Sequence, residues 1–388
     1  MPYSTTQSYI TFPTGHDDLV HDVAYDYYGR RMATVSSDQR LKVFDLSDDG
    51  DWVLSESIRA HEASITRVIW GPPEHGQIIA TCSHDRMVRI WEEQEMGSTL
   101  RWKRQFQMTS EKRTAIYDIS FPPATASTAS GTSTGLKIAF ISTDGIIHIY
   151  ECREPQDLTH WIAVDIISTL GTLTVPPTKE TEVSFCIDFC PSRWSGEQLV
   201  VGAMDKVQVY RVGRDTAKLR PVEELKGHKG LVRDVSWAAG MGRSYHLIAT
   251  GCKDGHVRIF KLTAASGHLS PPKSKYSANS SNPRRQQRMG NLGAGLTGAD
   301  ETPPPNGDDE TNNNNNDLGE GWLVERIADF DDHHSDVWRV SWNATGTVLS
   351  SAGDDGTIRL WKAAFSGEFQ CLSVIASQRS GYTLTEVF

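Results

Sequence analysis

Short runs in which apolar and polar residues alternate recur along the whole chain, and they fall into four ordered sets. The first set ends on an aromatic residue: HDVAY, TRVIW, IYDISF, FCIDF, RDVSW and WRVSW close at Tyr25, Trp70, Phe121, Phe189, Trp237 and Trp342. The second includes QIIATCS, KIAFIS, QLVVGA, HLIATG and TVLSSAG. The third runs from an aspartate to an aromatic, as in SSDQRLKVF, SHDRMVRIW, STDGIIHIY, AMDKVQVY, CKDGHVRIF and GDDGTIRLW. The fourth is DWVLSESI, LRWKRQFQ, HWIAVDII, LRPVEEL, GWLVERIADF and EFQCLSVIA. Successive side chains of an extended chain point to opposite faces, so each run predicts a half-buried β-strand.

Four strands per unit, repeated six times at roughly forty to fifty residues, is the pattern of an all-β, six-bladed β-propeller of the WD-repeat type. A single propeller domain then spans residues 1–388. Asp38, Asp85, Asp144, Asp254 and Asp355 each stand six residues before their aromatic, and Asp205 stands five before Tyr210. A carboxylate just ahead of a strand can accept backbone N–H groups and set a tight turn, with glycine supplying positive φ. These six aspartates therefore read as structural turn residues, and Asp354 in Gly-Asp-Asp-Gly as a local variant. An acid and base pair would need environments that separate the two pKa values.

Nine residues before the first-set aromatics stand His16, His61, His228 and His333, with Lys112 and Glu180 in the other two copies. WD repeats can bury a hydrogen-bonded set of a histidine, an aspartate six residues on, a Ser or Thr, and a terminal Trp. His16 with Asp22 and His228 with Asp234 keep that spacing, but their blades end in Phe44 and Phe260. His61 and His333 meet Arg67 and Arg339 instead. On this reading no blade holds a complete set, and packing carries the stability.

Two segments break the rhythm. Residues 264–318, rich in Pro, Gly, Ser and Asn, cannot bury enough apolar surface to offset ordering entropy, and read as a disordered loop inserted in blade five. Residues 122–135 read as a flexible loop in blade three. The cluster Arg284-Arg285-Gln286-Gln287-Arg288 reads as a solvated charge run.

A net charge of −10 argues against sequence-independent binding to nucleic acid or an anionic membrane surface. Met1–Pro13 has no secretory signal pattern and no stretch of about 18 apolar residues could insert in a membrane, so a soluble intracellular protein is expected. The six cysteines lack paired zinc-ligand spacing and read as reduced thiols. Gly131-Thr132-Ser133-Thr134-Gly135 matches a nucleophile elbow but lies in a low-complexity loop with no helix after it. Asp331-Asp332-His333-His334 could suggest a metal site, yet occupies the usual loop before a blade and reads as solvated. No phosphate or dinucleotide fingerprint stands in a suitable context. No catalytic residue, metal or cofactor is expected.

The blocks VWRVSWNATGTVLSSAGDDGTIRLWKA, RVIWGPPEHGQIIATCSHDRMVRIWEE and RSYHLIATGCKDGHVRIFKL closely resemble the Seh-type WD-repeat propeller nucleoporins of the nuclear-pore Y complex. The resemblance implies an open propeller, completed in trans by a blade that an α-solenoid nucleoporin donates. It also implies other Y-complex partners, a place at the nuclear envelope, and support of nucleocytoplasmic transport and mRNA export. A second assembly is implied too: a SEA/GATOR-type coat at the vacuolar or lysosomal membrane that acts in TOR-pathway nutrient signalling. The propeller subunit of the outer coat of vesicles from the endoplasmic reticulum shares a VWRVSW-like final blade and is the main alternative, with a peptide-recognition WD-repeat adaptor as another. One physical point agrees with an open ring. EFQCLSVIA can supply the last blade's fourth strand, which leaves the N-terminal run SYITF no vacancy to fill. An unfastened ring has strand edges that invite a partner. Its docking edge is expected at Ile10, Phe12, Val20, Val23 and Tyr25.

Overall fold

The computed structural model describes residues 12–94, 101–123, 135–169, 182–192, 197–213, 218–264 and 321–376. The chain divides into two units, Met1–Thr263 with Trp322–Phe388, and Ala264–Gly321. The first is the propeller. The 264–318 insertion lies outside the described residues apart from Ala264, as does most of the 122–135 loop, including all of the Gly131–Gly135 motif except its last glycine.

Each blade is a four-stranded meander in chain order. Blade one is β1 (Val20–Tyr25), β2 (Arg31–Ser36), β3 (Arg40–Leu46) and β4 (Trp52–Arg59). Blade two is β5 (Ile65–Trp70), β6 (Ile78–Ser83), β7 (Met87–Glu93) and β8 (Trp102–Thr109). Blade three is β9 (Ile116–Ser120), β10 (Leu136–Ser142), β11 (Ile146–Cys152) and β12 (Ile162–Ser168). Blade four is β13 (Phe185–Phe189), β14 (Gln198–Ala203), β15 (Lys206–Val212) and β16 (Leu219–Leu225). Blade five is β17 (Val232–Trp237), β18 (Tyr245–Cys252), β19 (Val257–Ala264) and β20 (Trp322–Phe330). Blade six is β21 (Val337–Trp342), β22 (Val348–Gly353), β23 (Thr357–Ala363) and β24 (Phe369–Ala376).

The second strands are the most deeply buried, because both of their faces meet a neighbouring blade; all six residues of β6 and of β14 are buried. Outer strands alternate and carry charge on the wet side, as in β16, where Arg220 and Glu224 are exposed. Apolar clusters join each blade to the next. Val35 and Leu41 meet Ile65 and Val68 between blades one and two, and Ala249 and Ile259 meet Val337 and Val340 between blades five and six.

The turn aspartates sit in the hairpins between second and third strands. Asp38 accepts the Arg40 N–H at 2.9 Å, Asp85 the Met87 N–H at 3.0 Å, Asp254 the His256 N–H at 3.1 Å and Asp355 the Thr357 N–H at 3.0 Å. The Asp144 contact to the Ile146 N–H is longer, at 3.3 Å. Asp205 differs: Ala203 pairs directly with Lys206, so the loop is only Met204 and Asp205, and its carboxylate accepts no backbone hydrogen bond among the described residues. That shorter hairpin accounts for its five-residue spacing. Asp354 accepts the Trp338 indole N–H at 2.6 Å.

The histidine reading needs correction, because two blades do hold a complete set. In blade two, His61 Nδ1 meets Asp85 at 2.8 Å and Nε2 meets the Thr81 hydroxyl at 2.8 Å, while the Trp91 indole donates to the same hydroxyl at 3.0 Å. Blade six repeats this with His333, Asp355, Ser351 and Trp361 at 2.9, 2.7 and 2.8 Å. The carboxylate comes from the hairpin turn, more than twenty residues after the histidine, and not from the position six residues on. Burial pushes the His61 and His333 imidazoles below their usual pKa, against the opposing pull of Asp85 and Asp355. Blade one keeps His16 with Asp38 and Thr34 but ends in Phe44, and in blade five Arg258 takes Asp254. His333 is also buried, so the Asp331–His334 loop turns that residue inward and leaves the other three exposed.

Candidate functional site

Two positions on the innermost strand of a blade seat it against the blade before. They are Ile65 and Val68 in β5, Ile116 and Ile119 in β9, Phe185 and Ile187 in β13, Val232 and Val235 in β17, and Val337 and Val340 in β21; none is more than 3% exposed. The corresponding residues of β1, Val20 and Val23, are 44% and 49% exposed. Tyr25, in the place that Trp237 and Phe189 fill when buried, is 55% exposed and leans only on Trp52, 5.7 Å between ring centroids.

The same contrast holds at the other end of the chain. On the third strands, Leu41 and Val43, Val88 and Ile90, Ile147 and Ile149, Val207 and Val209, and Val257 and Ile259 face the next blade and are all buried. In β23 their counterparts are Ile358, 44% exposed, and the half-buried Leu360. The adjoining residues of β22, Val348, Ser350 and Ala352, are likewise only half-buried, where Ile78, Ala80 and Cys82 of β6 are fully covered. Five apolar clusters join blades one to six in order, and among the described residues none joins blade six to blade one. Blade six already has its four strands from its own chain. Two apolar faces therefore stand uncovered on either side of one seam.

Charge holds the centre of the ring. Asp22, Asp118 and Asp234, in blades one, three and five, each cap a backbone N–H of the next blade: Val68 at 3.0 Å, Ile187 at 2.9 Å and Val340 at 3.0 Å. The Arg67 guanidinium lies between them. It meets Asp118 at 2.6 and 3.1 Å, Asp234 at 2.7 Å and Asp22 at 3.8 Å. Burial opposes its charge, but the three carboxylates outweigh that and hold its pKa well above the usual value. Arg339 of blade six reaches Asp22 of blade one at 3.7 Å, an ion pair across the seam.

Of the residues expected at a docking edge, Val20, Val23 and Tyr25 line the blade-one side of this seam. Phe12 is half-buried, its ring packed edge-on to Phe44 at 5.6 Å, and Ile10 lies outside the described residues. The segment carrying Phe12 continues to His16 and is held by Lys42, which donates to the Thr14 carbonyl at 3.2 Å. It covers β2 and β3 but leaves β1 bare. The sequence reading missed the blade-six side, Ile358 and Leu360. The small residues of TVLSSAG, where QIIATCS has isoleucine and cysteine, were the available signal.

Among the described residues no group of His, Cys, Asp or Glu is placed to hold a metal ion, no helix is long and apolar enough to cross a membrane, and five of the six thiols are buried without disulfides.

Residues 7–45, 52–92, 219–261 and 324–362 match the family described as WD domain, G-beta repeat. These are the four blades that carry the histidine; blades three and four, which lack it, fall outside the match. The chain is 44% identical over 372 residues to Nucleoporin SEH1 of Saccharomyces cerevisiae, covering 95% of this chain and 99% of that protein. It is 39% identical to Nucleoporin seh1 of Schizosaccharomyces pombe, covering 95% and 96%. Against Nucleoporin SEH1 of Homo sapiens the identity is 34%, covering 94% and 87%.

Proposed function

Since the chain belongs to the SEH1 family of WD-repeat nucleoporins, we propose that it is a non-catalytic structural subunit of the nuclear-pore coat whose seam accepts a blade from an α-solenoid nucleoporin. The observation that carries this reading is the pair of uncovered faces, Val20, Val23 and Tyr25 on one side and Ile358 and Leu360 on the other. Every equivalent face in the ring is buried against a neighbour. Covering a Val or Ile side chain contributes about 1.5–3 kcal/mol, so a strand pair that fills the seam would gain several such terms at once. Strand addition also supplies main-chain hydrogen bonds, and three or more strands presented together can pack as a blade.

In this reading the protein works at the nuclear envelope with Y-complex subunits, supporting nucleocytoplasmic transport and mRNA export by holding the coat together. A second place in a SEA/GATOR-type coat, acting in TOR-pathway nutrient signalling, would use the same seam. Neither role asks for a cofactor.

The reading is tested with Val23→Asp and Ile358→Asp. Both side chains are exposed in the free propeller, so the fold should tolerate the change, whereas a charge inside a filled seam is unpaired and desolvated. Pull-down from the source cells with the partners identified by mass spectrometry should recover an α-solenoid nucleoporin with the wild type. Either variant should weaken that capture at least tenfold while its circular-dichroism melt stays within a few degrees. Undiminished capture by both variants would refute the seam as the docking site.

A further inference from the structure

Five of the six innermost strands carry a one-residue β-bulge near their start, and the bulged residues are His21, Thr66, Tyr117, Arg233 and Trp338. Blade four has none: Phe185, Cys186 and Ile187 pair without interruption. A bulge re-aims one side chain without shifting the rest of the strand. All five re-aimed residues line one cavity of about 350 Å³ at one end of the central channel, together with Phe185, and its lining also includes Arg67, Asp118 and Arg339. That volume lies at the low end for ligand pockets and matches one or two side chains rather than a folded surface.

The lining states what would fit. His84, Tyr117 and Phe185 form a chain of edge-on rings, 6.2 and 6.1 Å between centroids, and Trp338 stands opposite with 44% of its surface exposed. These rings are an apolar seat. Arg233 is spoken for, lying over Trp338 at 4.2 Å and paired with Asp336 at 2.9 Å and with Glu182. Arg67 is neutralised by its three aspartates.

Arg339 is different. Its ion pairs to Asp22 and Asp234 are 3.7 and 3.9 Å long, and among the described residues its guanidinium makes no hydrogen bond. Both carboxylates already serve Arg67 and a backbone N–H. The Tyr117 hydroxyl and the His84 ring also make no hydrogen bond among the described residues. Three donor groups without acceptors, beside an aromatic seat, call for an acceptor-bearing ligand. A polyanion would meet Asp118 at the floor, so one carboxylate beside an apolar group is the better match.

We infer that this bulge-lined mouth is a second binding site, separate from the seam, for a short peptide segment. A single Glu or Asp of the peptide would bond Arg339 with help from Tyr117 and His84, and a neighbouring apolar side chain would lie among Tyr117, Phe185 and Trp338. This reading does not depend on the seam; either can fail alone.

The test uses an array of ten-residue peptides in which one Glu is flanked by Leu, Phe or Pro, each with a Gln copy, followed by fluorescence-anisotropy titration of the best binders. The expected result is micromolar binding of some Glu peptides, at least tenfold weaker binding of their Gln copies, and at least tenfold loss with Arg339→Gln. Tyr117→Phe removes only a hydroxyl without a partner, so it should keep the melting temperature while weakening binding several-fold. The proposal is overturned if no peptide binds below 1 mM, if Glu and Gln copies bind alike, or if both variants bind as the wild type does.

Discussion

Asp188 shows how a single side chain can carry a pH signature. It lies in the wall between blades three and five, accepting the Trp237 N–H at 2.7 Å and a longer contact from the Ser120 hydroxyl at 3.4 Å. Desolvation, with Asp118 and Asp234 nearby, raises its pKa from 3.8 to about 7, and Arg67 only partly offsets this. A carboxyl whose folded pKa is raised contributes stability that is complete below its ordinary pKa and is lost as pH climbs through the folded value. Asp188→Asn, which keeps an acceptor for Trp237 and never ionises, should therefore gain on the wild type between about pH 4 and pH 7, with a constant advantage above pH 8. Urea denaturation of the two proteins at matched pH measures the difference, and a difference flat with pH would mean that Asp188 is not held protonated.

At the scale of the element, the four-strand blade was legible because alternation and a terminal aromatic survive in every copy, even where loops and the histidine do not. What the sequence did not show was which aspartate each histidine meets. Spacing along the chain suggested Asp22 and Asp234, but those side chains turn to the channel and cap the next blade. The carboxylate beside the histidine is brought by the hairpin, a contact between strands that no local count contains. For the same reason Arg67 and Arg339 read as broken repeats, when they are the cations of the channel.

The complete and incomplete sets should differ in strength. Thr81→Val in blade two leaves both the His61 ring and the Trp91 indole without a partner, at a cost of about 2 kcal/mol or more. Thr34→Val in blade one orphans only the His16 ring, since Phe44 has no donor, and should cost about 1 kcal/mol. Thermal unfolding of the two variants compares them, and equal losses would mean that the tryptophan adds nothing to the set.

For the whole molecule, the sequence indicated an unfastened ring through the self-sufficient last blade, and it named Val20, Val23 and Tyr25. It could not show that the opposite wall, Ile358 and Leu360, is bare as well, because their alternation is the same as in blades where those positions are buried. Nor could it show what keeps an unfastened ring in register. Arg67 ties blades one, two, three and five at the axis, and the Asp22–Arg339 pair links blade one to blade six. Buried ion clusters of this kind add little net stability over a well-packed apolar substitute, but they fix geometry, and removing one partner leaves charge stranded. The seam can then stay open at a set width while its walls wait for a partner. A cryo-EM structure of the protein reconstituted with its α-solenoid nucleoporin tests this most directly. Strands of the solenoid chain should lie between β1 and blade six, covering Val23 and Ile358; a complex whose seam is empty, with the solenoid bound elsewhere on the propeller, would contradict it.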